Sequence, residues 1–219
     1  MARPRRATAL ALPGLEPAPA LRPVRSGLRR SGKGPAPAPR PWEAVVLGVD
    51  TARHSGWSAW ARGRLIERGE VDTLNAQAVR EVVAQVVSGA AQLELPAVIV
   101  LEKPWGPRSD IVAALGQARE RWLVQWRELA VGHRARVVLV MPSTWRAAVL
   151  GGSFAGAPRD EARAAEQAFA RALLGVDSIG PDEAPAVAIG YWASRSGKVG
   201  ECLSKTSQRA SLQAWTKGA

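Results

Sequence analysis

The sequence predicts an α/β fold: a five-stranded mixed sheet, a three-strand meander plus parallel strands, flanked by helices. Two observations predict it. Residues 44–72 hold three short apolar or alternating runs separated only by turns, which reads as a hairpin meander. After residue 74, apolar runs alternate with long stretches of helical period, which reads as crossover connections between parallel strands.

Each element follows in order. AVVLGVD (44–50) reads as a buried strand, SGWSAWA (55–61) as its hairpin partner and RLIERGEVD (64–72) as a third strand. NAQAVREVVAQVVSGAAQ places Val79, Val82, Val83, Val86 and Val87 on one helical face, with Asn75 available as N-cap. AVIVLE (97–102) is a fourth strand. SDIVAALGQARERWLVQWREL spaces Ile111, Leu115, Ala118, Trp122, Trp126 and Leu129 for one face of a long helix. RVVLVM (136–141) is a fifth strand. PRDEARAAEQAFARALLG starts with Pro158 near its first position and closes at Gly175, the usual helix asymmetry. PDEAPAVAIGYWAS (181–194) is a last short helix.

Composition sets outer bounds. The 219 residues are 47% hydrophobic, which suits one domain with tails to spare. No run approaches the ~18–20 apolar residues of a membrane span, so a soluble protein is expected. A single cysteine, Cys202, excludes an internal disulfide, and two distant histidines, His54 and His133, do not make a zinc site. Residues 1–42 carry nine Lys or Arg against one Glu and are rich in Pro and Ala without apolar period, so they read as a disordered basic tail. The domain is expected over 43–195, and 196–219 as a second basic tail. Basic ends on a nearly neutral body fit a polyanion such as nucleic acid; a GC-rich genome would produce the same composition. An organellar transit peptide is an alternative for the first tail, although its prolines break any amphipathic helix. SGKG (31–34) lacks the earlier glycine of a phosphate-binding loop.

Three carboxylates then stand out by position. Asp50 closes the first strand, Glu102 closes the fourth, and Asp182 opens the last helix. Functional groups of open α/β sheets gather where strand ends meet helix starts. If strands one and four are parallel neighbours, Asp50 and Glu102 end side by side and the last helix brings Asp182 to them. Clustered acids repel unless protonated or bridged by cations. Oxygen donors suit Mg²⁺ or Mn²⁺, and paired ions ~3.5–4 Å apart serve phosphodiester hydrolysis. Ordinary alternatives exist: Asp50 as a turn former, Glu102 solvated beside Lys103, Asp182 as an N-cap.

With those residues in place, LGVDTARHSGW, VIVLEKPW, LGQARE (115–120), MPSTWRAAVLGG and PDEAPAVAIGYW together resemble motifs of the RuvC-type Holliday junction resolvases of the RNase H-like superfamily, over roughly residues 44–195. MPSTWRAAVLGG is similar to that family's strand and loop carrying a basic residue near the site. The resemblance implies a metal-dependent endonuclease that resolves branched DNA and leaves 3′-hydroxyl and 5′-phosphate ends. It implies Asp50, Glu102 and Asp182 as ligands of two Mg²⁺ ions, with Mn²⁺ as substitute. It also implies Trp105 as an aromatic presented to junction bases, and Arg146 and Arg159, with Lys103 beside the site, as DNA contacts. A two-fold homodimer follows from symmetric cutting of a four-way junction, with Trp122 and Trp126 offering either a dimer face or core. The implied location is the cytoplasm of a bacterial or phage-infected cell, with a branch-migration helicase as a conceivable partner and no membrane.

One departure matters. Pro185 stands where the resemblance calls for a fourth acid, three residues after Asp182 on the same helical face. Either Asp182 or the adjacent Glu183 supplies the third ligand, or metal binding is weakened. A junction-binding protein without cleavage is therefore the alternative, and an RNA-directed nuclease of the same fold is another, because no residue identifies a 2′-hydroxyl contact. A nucleotide-handling enzyme of the same superfold would need two Gly-rich phosphate loops, and neither is present.

Overall fold

The computed structural model describes residues 43–104, 108–196 and 199. The tail expected at 1–42, nearly all of that at 196–219, and Trp105 lie outside the described residues. The strands are β1 (Val45–Val49), β2 (His54–Ala61), β3 (Arg64–Asp72), β4 (Ala97–Glu102) and β5 (Ala135–Val140). The helices are α1 (Ala76–Gln92), α2 (Ser109–Leu129), α3 (Pro142–Val149), α4 (Arg159–Leu174) and α5 (Glu183–Arg195), with a 3₁₀ turn at Gly152–Gly156. The sheet order is β3-β2-β1-β4-β5. β1, β2 and β3 form the antiparallel meander, and β4 and β5 join parallel to β1. The meander turns tightly at Arg62 and Gly63, both at positive φ (50° and 74°), as a two-residue hairpin requires.

Alternation along the strands divides the core into two layers. Val45, Leu47 and Val49 of β1 and Ala97, Ile99 and Leu101 of β4 pack on α1 and α2. Val46, Val98 and Val100 face the opposite side, against Trp145, Ala170, Val187, Ile189 and Trp192 of α3, α4 and α5. All five valines predicted for the α1 face are buried, and the Asn75 side chain accepts the Ala78 N–H at 3.1 Å. Gly175 closes α4 in the left-handed region at φ 66°.

Of the two alternatives for Trp122 and Trp126, dimer face or core, the rings take the core: they are 0% and 2% exposed under α1 and β4. The helical stripe continues through them, whereas Ile111 at the other end of α2 is 43% exposed. The segment MPSTWRAAVLGG is not strand and loop. It folds as α3 and a 3₁₀ turn, with Pro142 in the first turn, where its missing N–H costs nothing.

Close backbone approach seats α5 on the sheet. A Cβ on Gly48 of β1 would lie 2.5 Å from Gly190 N and 2.7 Å from Gly190 Cα. Ser58 Oγ donates to the Ala186 carbonyl at 2.6 Å and accepts from Trp60 Nε1 at 2.9 Å. Gly56 likewise leaves room for the Asp182 carbonyl. Glycines on both surfaces therefore bring the start of α5 down onto the C-terminal end of β1.

Candidate active site

The register of β1 with β4 decides where the first two acids go. Val49 is paired with Leu101 in a parallel ladder, so the next residues, Asp50 and Glu102, end the two strands side by side. Both follow the even-numbered positions that face α3, α4 and α5, so their side chains share one face of the sheet. Thr51 Oγ1 donates to the Glu102 carbonyl at 3.1 Å and ties the two strand ends together.

Three helices close over this point. Trp145 of α3, fully buried, donates its indole N–H to Glu102 Oε2 at 2.9 Å. The neighbouring Arg146 donates Nε to Glu166 Oε1 of α4 at 2.7 Å, and its guanidinium carbon lies 5.2 Å from the Trp145 ring. One turn earlier on α4, Arg163 reaches Asp182 Oδ1 at 3.3 Å. Asp182 precedes α5 without making a side-chain cap bond, so its carboxylate serves Arg163 and not the helix end.

Burial and neighbouring charge both act on these acids. Burial pushes the Asp50 carboxyl up to about 7, with the charges of Glu166 and Asp182 adding and those of Arg163 and Arg146 opposing. Glu102 is pushed up to about 8, by burial first and by Asp50 next; the Trp145 hydrogen bond and Arg146 pull it back. Glu166 is raised by burial against the pull of Arg146 and Arg163. Four carboxylates thus face two guanidinium groups.

The other predicted residues are placed as follows. Glu183 does not join the cluster. Its carboxylate pairs with Arg68 of β3 at 2.5 Å and accepts the Gly180 N–H at 3.4 Å, about one helical step round from Asp182. Pro185 is buried in the first turn of α5. Lys103 is exposed just beyond Glu102, and Arg159 is exposed at the first position of α4. Glu166 and Arg163 were not anticipated. The signal was present: Glu166 lies on the stripe Ala162, Glu166, Ala170, four residues apart, where every other buried position of α4 is alanine.

As they stand, no three His, Cys, Asp or Glu side chains among the described residues are arranged to hold one metal ion. Arginines hold two of the four acids instead. The donor chemistry nevertheless fits a hard divalent cation. The donors are all carboxylates, and one of their oxygens, Glu166 Oε2, is buried without a hydrogen-bond partner.

No protein-family model matches the chain, and no curated protein matches it. Solved structures do. The Thermus thermophilus RuvC structure aligns with a TM-score of 0.50 and 22% identity, covering 71% of this chain and 96% of its own. T. thermophilus RuvC in complex with Holliday junction substrate aligns with a TM-score of 0.50 and 20% identity, covering 72% and 96%. The yeast mitochondrial Holliday junction resolvase Ydc2 aligns with a TM-score of 0.40 and 10% identity, covering 78% and 88%. The two RuvC alignments identify the architecture: the mixed sheet β3-β2-β1-β4-β5 with its flanking helices is the RNase H-like fold of RuvC.

Proposed function

We propose that this chain is a divalent-cation-dependent endonuclease acting on branched DNA, four-way junctions first among its substrates. The observation that carries this reading is the convergence of Asp50 and Glu102 at adjacent parallel strand ends, with Asp182 brought in by α5. Two half-buried acids raised to about 7 and 8 are a poor structural choice. Each charge opposes the other and both lose water, so the arrangement is stable at neutral pH only with protons or a cation. Asp50, Glu102 and Asp182 would hold Mg²⁺ or Mn²⁺. Bound there, the cation would polarise a phosphodiester and stabilise charge on its oxygens.

The chain's own residues would do the rest. Trp145 fixes the Glu102 carboxylate in one orientation through its N–H. Arg146 and Arg163 neutralise the pocket before substrate arrives and afterwards face the phosphate, where a guanidinium binds two oxygens at once. Lys103 and Arg159, both exposed, would contact the backbone beyond, and Trp105 the bases. Symmetric cutting calls for a two-fold homodimer, acting in the cytoplasm of a bacterial or phage-infected cell.

A second reading has a specific observation in its favour. Position 185 of α5 holds proline where the resemblance calls for an acid, and two of the four carboxylates are held by arginine. A junction-binding protein without cleavage would look the same. Incubating the purified protein with synthetic four-way junctions, linear duplex and RNA–DNA hybrid in Mg²⁺ separates the readings. The nuclease reading expects junction cleavage that Asp50→Asn abolishes. Intact junctions in Mg²⁺ and Mn²⁺, with binding retained and cleavage gained on Pro185→Asp, would establish the second reading instead.

A further inference from the structure

Glu166 is the most unusual side chain in the molecule. It is 1% exposed, on a helix stripe otherwise made of alanine, and one of its oxygens has no donor. A buried carboxylate kept for structure alone should use both oxygens, because an unsatisfied charged acceptor bears its full desolvation penalty. Arginine can supply a two-pronged grip, yet Arg146 reaches Oε1 through Nε and leaves Oε2 bare. A well-packed apolar pair of the same volume would usually be as stable as such an ion pair. Packing therefore gives no reason for Glu166 to be there.

Its position supplies one. Consecutive residues of α3 hold two of the acids: Trp145 holds Glu102 of the sheet and Arg146 holds Glu166 of α4. Glu166 lies near enough for its charge to act on both strand-end acids, Asp50 and Glu102. If all four carboxylates there are ionised, two guanidinium groups leave an excess of two negative charges, the charge of one divalent cation. On α5, Pro185 has no side-chain oxygen to give.

Resting on the cation-dependent reading above, we infer that Glu166 is a ligand of the cation site, supplied by α4 in place of an acid on α5, and that Arg146 is its counter-ion when no cation is bound. Entry of the cation transfers Glu166 from Arg146 to the metal. The freed guanidinium then lies beside the site with its donors available to a phosphate.

Isothermal titration of the full-length protein with MnCl₂, without DNA, tests this independently of cleavage. Wild type binds Mn²⁺ and Asp50→Asn does not. Glu166→Gln keeps the shape and an acceptor for Arg146 but binds Mn²⁺ at least ~10-fold more weakly, since even outer-shell partners contribute ~10–100-fold to metal affinity. Arg146→Gln releases Glu166 without altering it and tightens Mn²⁺ binding severalfold. That gain is absent from the Arg146→Gln, Glu166→Gln double variant. Glu166→Gln binding within twofold of wild type, while Asp50→Asn abolishes binding, would overturn the inference and leave the cation site standing. A wild type that binds no Mn²⁺ would overturn both. Should Glu166→Gln fail to fold, as judged by its circular dichroism melt, the Arg146→Gln arm decides, and unchanged or weaker affinity there rejects the inference.

Discussion

Single residues at this site do work that their neighbours cannot take over. Among the described residues, Trp145 donates the side-chain hydrogen bond that the Glu102 carboxylate receives, and it is fully buried. Trp145→Phe is expected to lower stability by about 2–4 kcal/mol, combining the lost bond to a half-buried acid with a smaller ring. Urea unfolding of the single variants and of the double variant with Glu102→Gln checks it. The two changes should be non-additive by at least ~0.5 kcal/mol, and strict additivity would show that the bond contributes nothing. Asp50 and Glu102 were legible in the sequence because a strand end is marked by its own apolar run, and parity then fixes the face. Glu166 and Arg163 were not read, because a helix rich in Glu, Arg and Ala shows mostly solvated positions. Only the four-residue spacing to Ala162 and Ala170 marks Glu166 as inward.

Among the elements, α5 depends most on close approach. Gly48 and Gly190 let helix and strand backbones meet, so the clash predicted for a Cβ on Gly48 is with backbone atoms that cannot swing away. Gly48→Ala should destabilise by about 1–3 kcal/mol, as overpacking does. It should also reduce Mn²⁺ affinity at temperatures where the protein remains folded, because lifting α5 withdraws Asp182 from Asp50. Calorimetry and thermal melts on the same variant check the pair of effects; a variant as stable as wild type would refute the contact. The strands, α1, α2 and α4 were legible from period and caps. The helix α3 was not. Its eight residues are too short for a periodic signal, and Pro142 at the start was its one helical cue. The tryptophans of α2 illustrate a related limit: the sequence marks a stripe as apolar without saying whether sheet or partner covers it, and here the sheet does.

For the whole molecule, the raised acids link stability to pH. Carboxyls near 4 in the unfolded chain rise to about 7 and 8 at Asp50 and Glu102 in the fold. Between pH ~4 and ~8 the native state therefore holds protons that the unfolded state has released. Stability contributed by these groups is present at low pH, falls as pH rises through that window and levels above it. In EDTA, wild type should lose melting temperature relative to Asp50→Asn as pH rises from 5 to 8, and saturating Mg²⁺ should remove much of the difference. Melting temperatures that diverge in the opposite sense would contradict the assignment. The sheet order and its layers followed from hairpin spacing and crossover spacing, so the fold was the most readable level. The pairing of acids with arginines was the least readable, since it depends on side chains from α3, α4 and the start of α5 meeting.

Crystals grown in Mn²⁺ and measured at its absorption edge would test the central claim most directly. The account predicts an anomalous peak in contact with the carboxylates of Asp50 and Glu102, with Glu166 turned away from Arg146. Saturating Mn²⁺ with no peak at these strand ends, and the arginine pairs undisturbed, would contradict it.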